Sequence, residues 1–416
     1  MKFTLPSIFI VLIITFSCKQ QEQKSGIITD DVKARIDATL KSFVDTNRVA
    51  GISALIFEND KEVYFNSFGM ADREANVPMD RNTIVRIFSM TKPVTGVALM
   101  QLYEKGLFQL DDPLSKYAPE FADVKVFAGI DEKGGMKLEA PHRPITIRDI
   151  TRHTAGFSNA GDKNLGEVFR KADVMNKNNT LTQFAQKLSQ LPLAFHPGEQ
   201  WSYGVCVDVQ AYLVEKLSGK SFDQYLTENV LNPLKMNNTR YVATDTKRLA
   251  AMYNRADGKL NRVADSIANV FNGQEWPLKP GGFGLTSTVD DYMRFAQMLV
   301  NGGKLDDAVI LKEETVKLMA TNQLSDSVTE RMWLPSKGRV GFGIDFAVRL
   351  ESAQGPNEKV GAIGEFFWDG AASTLFWVDP KNDLTAVLFI QIFPFDNPVH
   401  KEFKEAVYGK YGTTTP

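Results

Sequence analysis

The stretch "FSMTKP" (residues 88–93) decides how this chain is interpreted, because it places a serine and a lysine three residues apart with a proline behind them. A proline is tolerated only in the first turn of a helix, so Pro93 predicts a helix start near Ser89. Side chains at positions i and i+3 share a helix face, so the Lys92 amine can reach the Ser89 hydroxyl. The N-terminus of a helix also supplies N–H donors and positive potential, which favour an alkoxide at Ser89.

A lysine needs a particular environment before it can act as a base. Its ordinary pKa of about 10.4 must be lowered by burial or by a neighbouring cation. Apolar sequence on both sides, "TIVRIF" (83–88) and "VTGVALM" (94–100), permits that burial. A Ser-x-x-Lys pattern also arises by chance in most chains of this length, so a surface helix start stays open on this motif alone.

The composition describes an ordinary globular protein with one large or two medium domains. The chain has 416 residues, of which 43% are hydrophobic and 24% are charged, and this balance is enough for a sizeable core. The formal net charge of −2 supplies no basic field. Nucleic acid is therefore excluded as a partner.

The N-terminus has the pattern of a targeting segment. A positive start at Lys2 precedes an apolar stretch over residues 3–16, which is too short to span a bilayer and is typical of a signal peptide. The ending "ITFSCK" resembles a bacterial lipoprotein signal. We therefore predict a signal peptide over residues 1–17, lipidation of Cys18 and a polar linker over residues 18–27. Cleavage without a lipid anchor is the alternative, and it would give a secreted protein.

The residue after that cysteine favours the outer membrane. An acidic residue there would favour retention in the inner membrane of well-studied bacteria, and this chain has Lys19 instead. We therefore expect an exported lipoprotein that is attached to the outer membrane by its lipid and faces the periplasm. Cys18 and Cys206 are the only cysteines. A lipidated Cys18 leaves no intrachain disulfide, so stability must come from a large core.

The hydrophobic periodicity predicts strands near both ends of the chain and helices between them. The expected helices cover residues 31–46, 94–104, 207–217, 222–231, 290–301 and a last segment that begins near 396–398, and the expected strands cover residues 52–58, 62–68, 342–350, 371–379 and 384–393. The helix at 94–104 is apolar nearly all round. A helix of that kind is buried on every side.

This order of elements predicts an α+β fold made of two parts. Residues 28–92 and 290–416 would form one antiparallel sheet flanked by the terminal helices. Residues 93–289 would form an inserted, mainly helical domain. A cleft between two such parts is the default place for a functional site.

Two further segments carry residues that suit acyl transfer. "WSYGVCVDV" (201–209) presents Tyr203, whose hydroxyl could relay a proton beside a lysine, although a packed aromatic is the alternative. "FFWDGAASTLFWVDP" (366–380) places a glycine at a strand entry, where the next N–H can form half of an oxyanion hole; an ordinary strand entry is the alternative. The glycine-rich "GGFGLTST" (281–288) lacks the Gly-Lys-Ser/Thr of a phosphate loop and is weak support by itself.

Taken together, these segments resemble the serine β-lactamase and penicillin-binding-protein superfamily. Its motifs match Ser89-Met90-Thr91-Lys92, Tyr203-Gly204-Val205 and Trp368-Asp369-Gly370, in the family's order and rough spacing. The strongest resemblance is to the class C-like branch, above all to the family VIII carboxylesterases and related acyltransferases. It covers roughly residues 30–410 and implies a β-lactamase-like two-domain fold.

The resemblance also implies a role for each matching residue. Ser89 would be the nucleophile of an acyl-enzyme mechanism, Lys92 would accept its proton, and Tyr203 would be the paired acid/base. The backbone N–H groups of Ser89 and Ala371 would form the oxyanion hole. The substrate would be a small-molecule ester or another acyl compound, and no cofactor is implied.

Two positions depart from the pattern of β-lactamases and peptidases. Val205 stands where those enzymes have an amide-binding asparagine, and Trp368 stands where they have a carboxylate-binding lysine. Asp369 is expected to add a negative charge beside Trp368. A site of this kind should bind a penicillin or a peptide carboxylate poorly, whereas a neutral ester has no such penalty. Trp368 and Gly370 would then line a wide apolar acyl pocket.

Two other functions stay open on the sequence. Cleavage of D-amino-acid peptides, amides or β-lactams would suit an exported protein, although Val205 and Trp368 oppose it. A non-catalytic lipoprotein that binds a cell-wall ligand is the other alternative, and intact Ser89, Lys92 and Tyr203 argue against it. The oligomeric state stays open as well.

A Ser-His-Asp triad is a weaker interpretation of the same chain. The histidines are His142, His153, His196 and His400, and no Gly-x-Ser-x-Gly elbow accompanies them. His153 lies in "RHTAG", where a structural hydrogen-bonding role is expected. Neither a His-Glu-x-x-His motif nor paired cysteine ligands occur, so no metal site is predicted.

Overall fold

A computed structural model of the chain describes residues 26–412. The predicted signal peptide (1–17), the lipidated Cys18 and all but the end of the predicted linker lie outside the described residues. Within them, the α-helices are α1 (Asp30–Asp45), α2 (Thr91–Glu104), α3 (Ile147–Thr151), α4 (Gly166–Ala172), α5 (Leu181–Ser189), α6 (Cys206–Ser218), α7 (Phe222–Leu226), α8 (Asp265–Ala268), α9 (Val289–Val300), α10 (Glu313–Met319) and α11 (Asn397–Tyr408).

The strands of the described residues belong to one large sheet and several small ones. They are β1 (Gly51–Glu58), β2 (Lys61–Asp72), β3 (Val77–Pro78), β4 (Val85–Arg86), β5 (Val126–Ile130), β6 (Met136–Glu139), β7 (Tyr253–Ala256), β8 (Lys259–Arg262), β9 (Thr286–Ser287), β10 (Lys304–Leu305), β11 (Ala308–Val309), β12 (Val340–Phe342), β13 (Ala347–Arg349), β14 (Phe366–Asp369), β15 (Leu375–Asp379), β16 (Leu384–Ile390) and β17 (Ile392–Phe393).

The large sheet joins the two ends of the chain. Its strand order is β12-β13-β14-β15-β16-β1-β2-β3, and every neighbouring pair is antiparallel. The N-terminal strand β1 pairs with the C-terminal strand β16, with Ile52 opposite Ile390. The prediction of an α+β fold with one antiparallel sheet built from both ends is confirmed.

Helices cover both faces of the centre of this sheet. The terminal helices α1 and α11 pack together, α1 lies against β1 and β2, and α9 lies against β1, β15 and β16. Strand β16 is therefore buried along its whole length, and β1 nearly so. Strands covered on both faces lose the alternation of polar and apolar residues, which explains the continuous apolar runs in both segments.

Local sequence signals set the ends of the terminal helices. The Thr29 side chain caps α1 by accepting a hydrogen bond from the Val32 N–H at 3.3 Å. The Asp396 side chain caps α11 by accepting from the Val399 N–H at 3.1 Å, with Pro398 in the first turn. A carboxylate cap followed by proline is a strong start signal, and the predicted start of the last helix is confirmed.

The helix that follows the Ser-x-x-Lys motif is the buried centre of the molecule. Helix α2 is buried from Thr91 to Met100 without interruption and packs against α6 and α7. Gly96 permits a close approach, since a Cβ at this position would lie 2.5 Å from an oxygen of the Asp345 carboxyl. The predicted burial of this helix is confirmed.

Three predicted strands have other bounds in the structure: two are divided and one is shorter. The expected strand at 342–350 is two strands, β12 and β13, joined by a tight turn in which the Gly343 N–H donates to the Phe346 carbonyl at 2.8 Å and Asp345 has a φ of +59°. The expected strand at 371–379 begins only at Leu375, so Trp368 lies on a separate strand, β14. The expected strand at 384–393 breaks at Gln391, whose side-chain amide pairs with the backbone of Arg86.

Within residues 26–412, no helix has both the length and the apolar character needed to cross a membrane.

Candidate active site

Ser89 lies in a single 3-10 turn, Phe88–Met90, that leads into α2. The turn is held by hydrogen bonds from the Met90 N–H to the Ile87 carbonyl and from the Ile87 N–H to the Leu285 carbonyl, both at 3.0 Å. Phe88 has a φ of +46°, in the left-handed region that bulky residues rarely adopt. Strained backbone of this kind clusters at functional sites, and here it fixes the half-buried Ser89 at the helix start.

Lys92 reaches the serine, as the i, i+3 spacing predicts. Its Nζ lies 3.2 Å from Ser89 Oγ and donates to the Gly282 carbonyl at 2.7 Å. The same ammonium lies 4.5 Å from the centroid of the Tyr203 ring. Only 5% of Lys92 is exposed, so a hydroxyl, a carbonyl and an aromatic face replace most of the water around its nitrogen.

The glycine-rich segment 281–288 contributes to this site, which the sequence interpretation missed. The Gly282 N–H donates to a carboxyl oxygen of Asp208 at 2.9 Å, and the Gly281 carbonyl accepts from the Thr95 hydroxyl at 2.7 Å. A Cβ at Gly281 would lie 2.3 Å from the Val207 carbonyl oxygen. The two successive glycines therefore let this segment lie against α2 and α6, where it presents a carbonyl to Lys92.

Two buried carboxyl groups lie near Lys92 without contacting it as ion pairs. Burial raises the pKa of Asp208 to about 6, against the opposing effect of Lys92. Burial also raises the pKa of Asp345 well above its usual range, against the opposing effects of Gln210 and Lys92. Among residues 26–412, no carboxylate lies within ion-pair distance of Lys92. The direct partners of the amine are therefore neutral.

Tyr203 meets Trp368 across the site. The indole Nε1–H of Trp368 donates to the Tyr203 hydroxyl oxygen at 3.3 Å. An indole nitrogen only donates, so the tyrosine oxygen is the acceptor and its own proton remains available for another partner. The structure thus brings Ser89, Lys92, Tyr203 and Trp368 together from three separate segments of the chain.

An aromatic flank packs around Tyr203. We define it as His153, Trp201, Trp333, Phe342 and Trp368, which contact Tyr203 or one another with ring centroids 4.8 to 6.1 Å apart. Trp333 is 37% exposed and forms the outer edge of this flank. The sequence interpretation missed Trp333, because its segment carries no motif and its position depends on contacts between distant parts of the chain.

The side chain of His153 has a packing role beside Tyr203. Its ring is fully buried with its centroid 4.8 Å from that of Tyr203, and neither ring nitrogen has a hydrogen-bond partner among the described residues. Burial, aided by Lys92, lowers the pKa of His153 well below its usual range. The neutral imidazole packs against the Tyr203 ring, and the structural hydrogen bond at His153 is made by its backbone carbonyl, which accepts from the Ser202 N–H at 3.0 Å.

Gly370 brings the end of β14 against the Ser89 turn. A Cβ at Gly370 would lie 2.5 Å from the Ile87 carbonyl oxygen, and the Gly370 N–H donates to the Thr374 carbonyl at 2.9 Å. The next residue, Ala371, is exposed, and its N–H, like that of Ser89, has no recorded hydrogen bond to another described residue. Both N–H groups are therefore without a partner among the described residues, as an oxyanion hole requires. The roles of Ser89 and Ala371 in it stay predictions.

Asp369 does not add a negative charge to the cleft. Side chains alternate along a strand, so Asp369 points away from the face that Trp368 presents to Tyr203. It is 6% exposed and ion-paired with Lys337, and His400 Nδ1 lies 3.8 Å away. Burial alone would raise the pKa of Asp369, but Lys337 and the other nearby cations hold it below its usual value.

Val205 and Cys206 lie inside the core at the start of α6. Val205 is 7% exposed and belongs to the main hydrophobic cluster, so a substrate-binding role for its side chain stays a prediction. Cys206 is 2% exposed, and burial raises the pKa of its thiol far above the usual range. Such a thiol is inert. The described residues hold no cluster of His, Cys, Asp or Glu that could bind a metal ion.

Comparison with known proteins finds the same fold and related chemistry. A family model described as Beta-lactamase matches residues 36–408. Protein Rv1367c of Mycobacterium tuberculosis (strain H37Rv) is 33% identical over 364 residues, which cover 86% of this chain and 89% of the relative. Monacolin J acid methylbutanoyltransferase of Aspergillus terreus is 27% identical over 359 residues, which cover 80% of this chain and 84% of the relative.

A solved structure supports the same grouping. The structure described as EstCE1, a hydrolase with promiscuous acyltransferase activity, has a TM-score of 0.77 and is 25% identical. The match covers 91% of this chain and 99% of EstCE1. The structural similarity therefore extends over most of the chain.

Proposed function

This chain belongs to the beta-lactamase family, and from that premise we propose that it is a serine hydrolase that acts on neutral carboxylic esters through an acyl-enzyme. The observation that supports this most is the contact of 3.2 Å between Ser89 Oγ and Lys92 Nζ at the start of a buried helix. The named activities of its relatives, an acyltransferase and a hydrolase with acyltransferase activity, both form or break acyl bonds.

Acylation begins when Ser89 Oγ attacks the carbonyl carbon of the ester. Lys92, in its unprotonated form, accepts the serine proton over the existing contact, which makes the oxygen a stronger nucleophile. The carbonyl oxygen becomes an oxyanion between the N–H groups of Ser89 and Ala371, which have no other recorded partner among the described residues. The Gly282 carbonyl holds the Lys92 ammonium in place after the transfer.

The tetrahedral intermediate collapses when the leaving alcohol takes a proton from Tyr203. Trp368 donates to the tyrosine oxygen, so the hydroxyl proton is directed elsewhere and the phenolate that remains keeps one hydrogen bond. Lys92, close to the same ring, returns its proton to Tyr203. In deacylation the proton of the attacking water or second alcohol passes to Tyr203 while Tyr203 passes its own proton to Lys92. Lys92 then protonates Ser89 Oγ as its bond to the acyl carbon breaks, which releases the acid or the new ester and frees Ser89.

The preference for esters follows from the charges around Trp368. An indole stands where a carboxylate-binding lysine would be needed, and it offers no positive charge to a penicillin or a peptide terminus. The nearest cation behind Trp368 is Lys337, at 5.5 Å from the ring, and Asp369 already neutralises it. At the position of Trp368, the described residues place neither a cation without an anionic partner nor an added anion, and this is the physical basis of the preference.

Localisation is proposed from the N-terminal sequence alone. The segment 1–17 followed by Cys18 and Lys19 has the pattern of an exported outer-membrane lipoprotein. Labelling of cells with an alkyne fatty acid tests this proposal, since wild-type protein should carry the label and Cys18→Ser should not. An unlabelled wild-type protein in the culture medium would support secretion without an anchor.

The proposed function is tested by comparing two substrates on the purified protein. We expect release of p-nitrophenol from p-nitrophenyl acetate and butyrate, with little hydrolysis of nitrocefin, and complete dependence on Ser89 in the Ser89→Ala variant. Faster turnover of nitrocefin than of the esters would overturn the ester assignment and leave a penicillin-recognising enzyme. Ester turnover that survives in Ser89→Ala would overturn the mechanism.

A further inference from the structure

A cavity of about 330 Å³ lies beside the Ser89 turn, and none of its lining residues has a role in the proposed mechanism. Four half-buried phenylalanines lie in its wall, and we name it the phenylalanine cavity after them: Phe88, Phe271, Phe283 and Phe393. The rings pack edge to face in two pairs, Phe88 with Phe393 at 5.6 Å and Phe271 with Phe283 at 5.1 Å. Half-buried rings around an open space leave apolar surface for a ligand.

The rim of the cavity is apolar as well. Ile267 and Val270 lie in the segment that follows β8 and are 68% and 39% exposed. Large exposed apolar side chains that continue into a cavity mark a binding site more often than isolated ones do. The cavity is therefore open to the solvent along an apolar edge.

Two of the four phenylalanines are next in sequence to residues of the active site. Phe88 directly precedes Ser89, and Phe283 directly follows Gly282, whose carbonyl accepts from Lys92 at 2.7 Å. Consecutive Cα atoms lie about 3.8 Å apart. The wall of the cavity thus begins one residue from the nucleophile and one residue from the group that holds its base.

The one charged side chain that the described residues contribute to the wall is already engaged. The Arg86 guanidinium donates to the carbonyls of Ala268 at 2.9 Å and Ala250 at 2.8 Å, and to the side chain of Asn269. These bonds turn its donors towards backbone and amide oxygens. The cavity therefore suits an uncharged hydrocarbon group and offers no anchor for a carboxylate.

The chemistry of the leaving group decides which half of an ester occupies the cavity. Tyr203 must protonate the leaving oxygen, so the alcohol part lies on the aromatic flank. That flank shares no residue with the lining of the phenylalanine cavity. The acyl part extends from the same carbonyl carbon in the other direction, so this assignment places it on the side of Phe88 and not under Trp368, where the family resemblance implies it.

We propose that the phenylalanine cavity is the acyl-binding site, and that it selects esters of unbranched, uncharged fatty acids of medium length over acetates. This inference rests on the proposed function, because it assigns the acyl side of the same reaction. Burial of each added methylene corresponds to a gain of about threefold to fourfold in kcat/KM until the cavity is filled.

The test measures kcat/KM on p-nitrophenyl acetate, butyrate, hexanoate and octanoate with a variant that fills the cavity. Ala268 lies in the wall, and only its backbone carbonyl contacts Arg86, so Ala268→Phe adds a ring without removing a hydrogen bond. The control is Ala264→Phe, the same change at an exposed position of the same segment outside the wall. Phe271→Ala is the opposite change and enlarges the cavity.

We expect an octanoate-to-acetate ratio of about 30 or more in the wild type. Ala268→Phe should lower this ratio at least about tenfold, Ala264→Phe should keep it, and Phe271→Ala should move the optimum to longer chains. An equal loss on both esters in Ala268→Phe, or a ratio near one in the wild type, would overturn the acyl assignment. Circular dichroism and the Tm of each variant identify a folding failure, and the Phe271→Ala optimum then decides.

A binding measurement separates this inference from the proposed function. Octanamide is titrated calorimetrically into Ser89→Ala and into Ser89→Ala/Ala268→Phe. Binding by the first variant that the second loses would support the cavity even if no ester were turned over. Ester turnover that depends on Ser89, without octanamide binding or a chain-length preference, would overturn the cavity alone.

Discussion

Strand β14 has two faces that differ in how they hold charge. On the cleft face, Trp368 points at Tyr203, and the nearby amine of Lys92 has only neutral direct partners among the described residues. On the opposite face, Asp369 pairs with Lys337 and Glu365 pairs with Lys404 at 2.6 Å. One strand therefore separates a lysine whose direct partners are neutral from lysines that are paired with carboxylates.

The difference shows what makes a buried lysine suitable as a base. Lys404 is fully buried, and burial lowers its pKa to about 8 against the opposing effect of Glu365. Its carboxylate partner favours the charged form, so the pair is structural. Lys92 contacts a hydroxyl and a carbonyl instead of a carboxylate, and the proposed mechanism uses it as the base. The partner of the lysine, and not burial alone, separates the two roles.

The largest expected effects come from replacing each lysine separately, and they fall on activity for Lys92 and on stability for Lys404. Lys92→Met should lower kcat/KM by about 10³-fold or more while the fold is kept, because it removes the proton acceptor. Lys404→Met should leave kcat/KM of the folded protein near the wild-type value and cost about 3 kcal/mol in the free energy of unfolding, because Glu365 loses its closer partner and keeps only Arg349 at 3.4 Å. Kinetics and urea denaturation on both variants measure this. A Lys404→Met protein that is folded but as inactive as Lys92→Met would contradict the division.

Tyr203→Phe should have the next largest effect, since it removes one hydroxyl and keeps the ring within the aromatic flank. We expect a loss of about 10²- to 10³-fold in kcat on p-nitrophenyl butyrate with a Tm close to that of the wild type. The double variant with Lys92→Met should lose little more than the worse single variant, because the two groups act as one unit. Additive losses would show that they act separately.

Trp368→Phe sharpens the comparison by removing only the indole N–H from the cleft face. A hydrogen bond to a group that develops charge is worth about 1.5–3 kcal/mol, so kcat should fall about tenfold or more. Trp377→Phe is the matched control, since the Trp377 Nε1–H donates to the Tyr408 hydroxyl at 2.9 Å, away from the cleft. Equal effects of the two changes on kcat of folded protein would mean that the indole of Trp368 acts only by packing.

The smallest expected effect on activity concerns Lys359, which lies near the Asp369–Lys337 pair and should change only the stability of the protein. Lys359 is 4% exposed with no recorded ion pair among the described residues, and burial, with the nearby Lys337, lowers its pKa from 10.5 to about 7. Between these values the unfolded chain binds more protons than the folded one, so stability should rise with pH from about 7 to 10.5. Below about pH 7 both forms are protonated, and the full cost of burial is present.

Lys359→Met should therefore be more stable than the wild type at pH 6 and should show a smaller rise of stability towards pH 10. Urea denaturation across this pH range measures both quantities. The control is Lys137→Met, at an exposed position of β6. An unchanged slope in Lys359→Met, or the same change in the control, would contradict the assignment.

Much of the site could be predicted from short-range patterns. The Ser89–Lys92 contact follows from an i, i+3 spacing and a proline, and the burial of α2 follows from its apolar sequence. The order of three motifs was enough to indicate the fold. The first two signals come from residues close together in sequence, and the third is the order of short motifs along the chain. All three can therefore be found in a single sequence.

The parts that could not be predicted depend on contacts between distant segments. Asp369 was expected in the cleft, but the strand alternation and a lysine 32 residues away place it on the other face. The Gly282 carbonyl accepts from Lys92 because the preceding Gly281 lies against α6, where a Cβ would be 2.3 Å from the Val207 carbonyl oxygen. The turn at Asp345 divides a segment whose sequence reads as one strand, because its carboxyl is buried against α2.

The most direct test of the central claim is to trap the acyl-enzyme. Wild type, Tyr203→Phe and Ser89→Ala are mixed with p-nitrophenyl butyrate, quenched in acid within the first turnover and digested for peptide mass spectrometry. The account predicts one butyryl group on the peptide that contains Ser89, more of it in Tyr203→Phe because deacylation is slow, and none in Ser89→Ala. A butyryl group on another residue, or labelling that persists in Ser89→Ala, would contradict it.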